Sequence, residues 1–182
     1  MSVFPKPYAD RVARLRVAAG FVLVAAFAWF SQPTPASLLW GLPVSALGLI
    51  LRAWATGHLE KNIRLAESGP YGYVRNPLYL GTALVAAGLV IASRRWPLAV
   101  LFAAVFVLIY LPVIELEEQH LRHLFPTFGA YAQRVPALWP ALSAAKSAEH
   151  FRWALYVRNR EYQALLGWLA GIALLAAKVL VL

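Results

Sequence analysis

The chain has 182 residues, 61% hydrophobic and only 14% charged, with a formal net charge of +9. A soluble domain is roughly 45–50% apolar, so this composition excludes an ordinary soluble fold and predicts an all-α bundle embedded in a membrane. With no cysteine, disulfides, thiolate nucleophiles and cysteine-ligated metals are excluded as well.

Lys6, Arg11, Arg14 and Arg16 precede the first apolar run, 17–31. No small-residue cleavage site follows it and further runs come after, so it reads as a retained anchor rather than a secretory leader. The uncharged "SQPTPAS" leads into a second run, 38–55. A connection that gathers Arg52, Lys61, Arg64 and Arg75 precedes the third run, 78–92, and a short link with Arg94 and Arg95 precedes the fourth, 97–114. The fourth continues as a polar helix carrying Glu115, Glu117, Glu118 and Arg122, and breaks at Pro126. A basic stretch, 143–163, leads to a last run at 164–182 whose single charge is Lys178. About 20 apolar helical residues cross a bilayer and about 17 suffice, so five transmembrane helices are expected, the first and third needing tilt of their neighbours or local thinning.

Charge placement gives the topology. With the N-terminus inside, fourteen of the seventeen basic residues are cytoplasmic, which is the bias that orients membrane helices. The expected location is a bacterial inner (plasma) membrane with the loop 56–77 and the segment 115–163 in the cytoplasm. The positive charge then serves topology and anionic headgroups of membrane lipids, and calls for no nucleic-acid partner, because the aromatics are scattered through the apolar runs. His120 and His123 share a helix face, but no acidic or histidine partner completes a metal site, so no metal is expected. Ala83, Ala87 and Gly88 allow close helix approach within or between chains, which leaves the oligomeric state open, and packing accounts for Gly41 and Gly48.

The densest polar stretch is "SGPYGYVRNPLYLG", residues 68–81. Gly69-Pro70 signals a turn, Pro77 suits the first turn of a helix, and Asn76 before it is placed to cap that helix. Interfacial anchoring explains Tyr71, Tyr73 and Tyr79, but not their concentration beside Arg75 and two glycines. Farther on, Glu118 and Arg122 are spaced for an i,i+4 ion pair, whereas Glu117 shares a face with Leu121 and Leu124. A carboxylate there is costly unless a cation meets it; an ordinary solvated helix start is the competing reading.

Together these stretches resemble the membrane-embedded methyltransferases related to isoprenylcysteine carboxyl methyltransferase and to the phospholipid methyltransferases. The pattern "GxYxxxRHPxYxG" is matched by Gly69, Tyr71, Arg75, Asn76, Pro77, Tyr79 and Gly81, and "EExxLxxxFG" with a later "RVP" by Glu117, Glu118, Leu121, Phe125 and the "YAQRVP" of 131–136, over residues 56–140. The resemblance implies one methyltransferase domain over 1–182 with the last span as an addition, and a pocket for S-adenosyl-L-methionine in a cytoplasmic segment. It implies cofactor contacts from Ile63, Arg64, Leu65, Ala66, Tyr71, Asn76, Pro77, Leu78, Tyr79, Glu117 and Glu118, and catalytic parts for Arg75, Asn76 and Glu117. Carboxylate and tyrosine faces suit the cationic parts of such a cofactor. Asn76 stands where family members carry histidine and cannot take up a proton. Val113 stands where the carboxyl methyltransferases carry arginine, and suits a neutral or lipid-like acceptor. The implied substrate is a lipophilic small molecule or lipid, bearing an isoprenylcysteine-like carboxylate, a lipid amine or a similar nucleophile. Two other readings compete, a membrane NADPH-dependent reductase of the sterol-reductase kind and a non-catalytic membrane scaffold.

Overall fold

The computed structural model describes residues 4–142 and 149–181. Among the described residues the chain folds into helices and no strands: α1 (Lys6–Phe30), α2 (Pro35–Thr56), a single 3-10 turn at Gly69–Gly72, α3 (Pro77–Ser93), α4 (Trp96–Leu124), α5 (Phe128–Arg134), α6 (Trp153–Arg158) and α7 (Tyr162–Val181). α1, α2, α4 and α7 are long and apolar enough to cross a membrane, and α3 is a shorter apolar helix of 17 residues. The five expected spans are therefore the five long helices. α1 and α4 overrun their expected bounds because the charged flanks stay helical, α1 taking in Arg11, Arg14 and Arg16 and α4 continuing to Leu124. Arg52, expected in the connection, lies inside α2. The stretch 143–148 with Lys146, expected on the cytoplasmic side, and the terminal Leu182 lie outside the described residues.

Local sequence accounts for the boundaries. "TPAS" starts α2 with a reciprocal cap: the Ser37 N–H donates to Thr34 Oγ1 at 3.3 Å, and the Thr34 N–H to Ser37 Oγ at 2.9 Å. In α4 the helix widens to a π turn at Phe106–Tyr110 just ahead of Pro112. Proline withholds the N–H that the Leu108 carbonyl would take in a regular helix, and the Tyr8 hydroxyl of α1 donates to that carbonyl at 2.6 Å. Large apolar side chains face outward, such as Phe21 and Trp29 on α1 and Leu39 and Trp40 on α2, as suits helices whose outer surface meets lipid.

α2 and α3 form the tightest pair in the bundle, and glycine is the reason. A Cβ on Gly48 would lie 2.5 Å from the Gly81 carbonyl, and one on Gly88 would lie 2.3 Å from the Ser45 N. Gly41 faces Gly88 in the same way, so the seam is built from two glycines per helix, each pair seven residues apart. Gly88 acts in this seam as expected, joined by Gly81, while Ala87 is exposed. At the end of the bundle away from the 3-10 turn, the Lys178 ammonium donates to the carbonyls of Trp29 at 3.0 Å and Ser31 at 2.9 Å, closing the open end of α1 with a cation. Arg95 Nε donates to the Phe30 carbonyl there at 3.2 Å.

Because the α2–α3 seam leaves no space for a side chain, Gly48→Val is expected to cost about 1–3 kcal/mol of stability. Gly167→Ala, with nothing within 4 Å of the added carbon, is expected to be neutral or to stabilise by up to about 1 kcal/mol. Thermal unfolding in detergent checks the pair, and equal effects would refute the seam.

Candidate functional site

The two halves of the motif meet at the end of the bundle that carries the 3-10 turn. Arg75 donates from Nε and Nη2 to the two oxygens of Glu118, each at 3.0 Å. Its Nη1 reaches the carbonyls of Ala132 at 2.7 Å and Val135 at 2.8 Å, and its backbone N–H that of Pro136 at 2.8 Å. Asn76 Nδ2 donates to Glu118 Oε1 at 2.8 Å and to the Ala137 carbonyl at 3.2 Å. Arg75 and Asn76 thus spend their side chains on lashing α4 and the segment 132–137 to the start of α3. Two expectations change here. Asn76 does not cap α3 with its side chain; its carbonyl instead accepts from the N–H groups of Tyr79 and Leu80, both at 3.1 Å. Glu118 pairs with Arg75 and not with Arg122, whose guanidinium lies 5.2 Å from the centre of the Phe128 ring. A shielded fork-to-fork pair is worth more than an exposed i,i+4 pair, which contributes only a few tenths of a kcal/mol.

Glu117, the next residue, points elsewhere. Its Oε1 accepts from the Tyr79 hydroxyl at 2.8 Å and from Arg16 Nη1 of α1 at 3.3 Å, and Arg16 Nη1 also donates to the Tyr79 hydroxyl at 3.1 Å. Both members of this ion pair are about half exposed, at 42% and 50%. They face a cavity of about 660 Å³, in the range of small-molecule sites. Arg64, Leu65, Ala66, Tyr71, Arg75, Asn76, Pro77, Leu78, Tyr79, Glu117 and Glu118 all line it. Of the expected contacts, Ile63 alone does not, its side chain being turned out to solvent. The sequence reading missed Arg16 and Gly20 of α1, Arg52 and Thr82 of the α2–α3 pair, and Tyr110 of α4, all of which line the cavity. Charge inside an apolar helix was the available signal for Arg52.

Below the cavity Phe128, Tyr131 and Val135 form a small core with Leu65 and Leu121. The Tyr131 hydroxyl donates to the Tyr71 carbonyl at 2.8 Å, and burial pushes both phenols up, so both stay neutral. The wall at 59–66 is held from its outer side. Ser68 Oγ donates to Glu149 Oε2 at 2.9 Å, which leaves it to accept from His58 Nδ1, also at 2.9 Å. Gly69, at φ +57°, has no Cβ because the His58 ring fills that space. The residues after Glu149 bind the same wall: the Arg152 N–H donates to the Gly57 carbonyl at 3.0 Å, Arg152 pairs with Glu60, and Asn159 Nδ2 bridges the Thr56 and Leu59 carbonyls at 3.1 and 2.9 Å. Among the described residues no group of three or more His, Asp or Glu could hold a metal ion.

S-adenosylmethionine fits this donor set. Of the lining carboxylates, Glu118 is locked by Arg75 and Asn76, and Glu60 is taken by Arg64 and Arg152. Glu117 has one loose ion pair and half its side chain open to the cavity, which suits it to meet a cation. Tyrosine rings and hydroxyls beside it suit an onium group and a ribose.

The fold and cavity define an all-helical membrane protein with a polar, ligand-sized site at one end of the bundle. By sequence the chain belongs to the phospholipid methyltransferase family, which matches residues 37–127. That range holds α2 from Ser37 onward, α3 and α4 and therefore both glutamates, and leaves out α1, α5, α6 and α7. The chain is also similar to the cobalt-zinc-cadmium resistance protein CzcN of Cupriavidus metallidurans, 31% identical over 156 residues covering 82% of this chain and 71% of that one. The nickel-cobalt-cadmium resistance protein NccN of Alcaligenes xylosoxydans is 32% identical over 144 residues, covering 75% of this chain and 68% of its own. No solved structure matches significantly.

The adjacent glutamates are expected to separate in a stability assay. Glu118→Ala strands a mostly buried Arg75 and is expected to cost about 3–5 kcal/mol, whereas Glu117→Ala removes a half-exposed pair and is expected to cost under about 1 kcal/mol; detergent melts measure both. The outer latch is expected to loosen in acid. Burial lowers the His58 pKa below its ordinary 6.5, so its stabilisation is complete above that pH and is lost as pH falls through the depressed value. Hydrogen bonds from Arg64 and Ser68 lower Glu149 from 4.5, with the same sign at lower pH. Amide exchange across 58–68 should therefore quicken, beyond its intrinsic pH dependence, between pH 7.5 and 5.5 in the natural protein and not in His58→Gln.

Proposed function

We propose that the protein is an S-adenosylmethionine-dependent methyltransferase acting on a lipophilic acceptor at headgroup depth. The observation that carries this reading is the shared cavity: Tyr71, Tyr79 and Glu117, from the two halves of the family pattern, line one space with an apolar helical side and a polar loop side. The cofactor, when bound, supplies an electrophilic methyl group on a sulfonium. Glu117, Tyr79 and Tyr71 hold its cationic and ribose portions, and the wall Arg64 to Ala66 takes the rest. Glu117 is aimed by the Tyr79 hydroxyl and Arg16. The chain's further task is alignment, because an acceptor that arrives as a carboxylate, thiolate or neutral amine needs no proton removed. Asn76 accords with that, since an amide bound to Glu118 and the Ala137 carbonyl takes up no proton.

The lipophilic character of the acceptor is supported by the upper lining, where Val17 and Gly20 of α1 and Tyr110 of α4 border the cavity within helices that face lipid. A cytoplasmic position is supported by charge: the end of the bundle with the cavity carries Lys61, Arg64, Arg75, Arg134 and Arg152, and the other end Arg94, Arg95 and Lys178.

Calorimetry with S-adenosylhomocysteine tests the cofactor reading: the natural protein should bind, and Glu117→Ala more than tenfold more weakly, about 1.4 kcal/mol. Incubation with radiolabelled S-adenosylmethionine and host lipid extract should put label in the organic phase, and label appearing only in cytosolic macromolecules would overturn the acceptor class. For sidedness, reporter fusions after Arg95 and after Ala141 are expected on opposite faces of the membrane; the same face for both would sink the orientation.

A further inference from the structure

Arg52 is the one ion-paired residue of α2, a single turn inside its end. An arginine so near a helix end can extend to the interface and stay hydrated. This one turns inward. Its Nε and Nη2 donate to the two oxygens of Glu161 at 2.6 and 3.0 Å, and its Nη1 donates to Thr82 Oγ1 at 2.6 Å and to the Leu78 carbonyl at 3.3 Å. Glu161 is 7% exposed. Taking such a pair out of water costs several kcal/mol per ion before the attraction is counted, so stability alone gives a weak reason for it.

What the pair grips is the first two turns of α3, through Leu78 and Thr82. Leu78 precedes Tyr79, whose hydroxyl meets Glu117, and Arg52, Leu78, Tyr79 and Thr82 all line the cavity, whereas Glu161 does not. A second observation fits the first: a Cβ on Gly81 would lie 2.5 Å from Arg52 Cγ, so the glycine two residues after Tyr79 makes room for the arginine stem as well as for α2. Glu161 reaches the pair from outside the family match, beside the Asn159 and Arg152 contacts that hold the loop wall. We propose that Glu161 is a positioning residue for the reaction, orienting Arg52 so that the α3 turn presents Tyr79 to Glu117.

The inference rests on the cofactor reading above, and the test separates the two. Glu161→Gln leaves every lining side chain in place, keeps an acceptor for Arg52 and removes the charge. It is expected to weaken S-adenosylhomocysteine binding at least fivefold by calorimetry. In a Tyr79→Phe background that loss is expected to shrink below twofold, because the hydroxyl through which it acts is gone. The double variant Arg52→Met with Glu161→Met replaces the pair by apolar side chains of similar length. It is expected to melt within about 3 °C of the natural protein and still bind at least tenfold more weakly. Unaltered binding in Glu161→Gln, or a loss that stays in full beside Tyr79→Phe, overturns the positioning role. Failure of the natural protein itself to bind S-adenosylhomocysteine overturns the cofactor reading and this inference with it.

Discussion

The site depends on one largely shielded fork-to-fork contact, Arg75 with Glu118. The residues are 43 apart in sequence, and nothing local brings them together. Once the guanidinium leaves water its five donors must be met, and Glu118, Ala132 and Val135 supply four acceptor atoms. Those acceptors sit on α4, within α5 and just after it, so satisfying one side chain ties both helices to the start of α3. The backbone bonds from Arg75 and Asn76 to the Pro136 and Ala137 carbonyls follow from the same placement. The cavity is the space left on the other side of this knot, roofed by α1 and walled by the loop after α2.

Much of this was legible in the sequence. Hydropathy gave the helices, because a chain in lipid must satisfy its backbone within each span. Of the residues expected as contacts, from the segment 63–66 and from the two halves of the motif, all but Ile63 line one space. The assignment of partners was not legible. Helical spacing offered Arg122 to Glu118, and only the three-dimensional approach of Arg75 supplied a better-shielded partner. Arg16 and Arg52 were hidden for a different reason: Arg16 ends a basic cluster ahead of an apolar run and Arg52 lies near the end of one, and in a linear reading each serves equally as a topology marker. Pro70, Pro77 and Gly69 were visible as turn residues, but that Gly69 yields its side-chain space to the His58 ring depends on a contact across ten residues of loop.

The parts outside the family match are not spectators. α1 contributes Arg16 and the open edge at Gly20; α7 donates from Trp168 Nε1 to Ser45 Oγ at 2.9 Å and closes α1 through Lys178. The stretch from Glu149 to Glu161 makes its contacts with the outer face of the loop wall and with Arg52, and lines none of the cavity. Lining and outer support are thus divided along the chain, the cavity residues falling between Arg16 and Tyr131 and the bracing of the loop wall coming from Glu149 onward.

The adjacent glutamates show a second division, made by the helix itself. Consecutive residues on a helix point about 100° apart, and Glu117 and Glu118 accordingly meet different partners. Glu118 turns to the knot, where two donors on Arg75 and one on Asn76 hold it. Glu117 turns to the cavity, where a phenol and one guanidinium nitrogen aim it without neutralising it deeply. A carboxylate that is to meet a cation has to be oriented and only loosely paired, since a strong existing pair must be broken before a ligand gains anything. The shielding of Arg75–Glu118 and the exposure of Arg16–Glu117 are thus complementary: the first holds the fold, and the second is the pair that the proposed cofactor would meet.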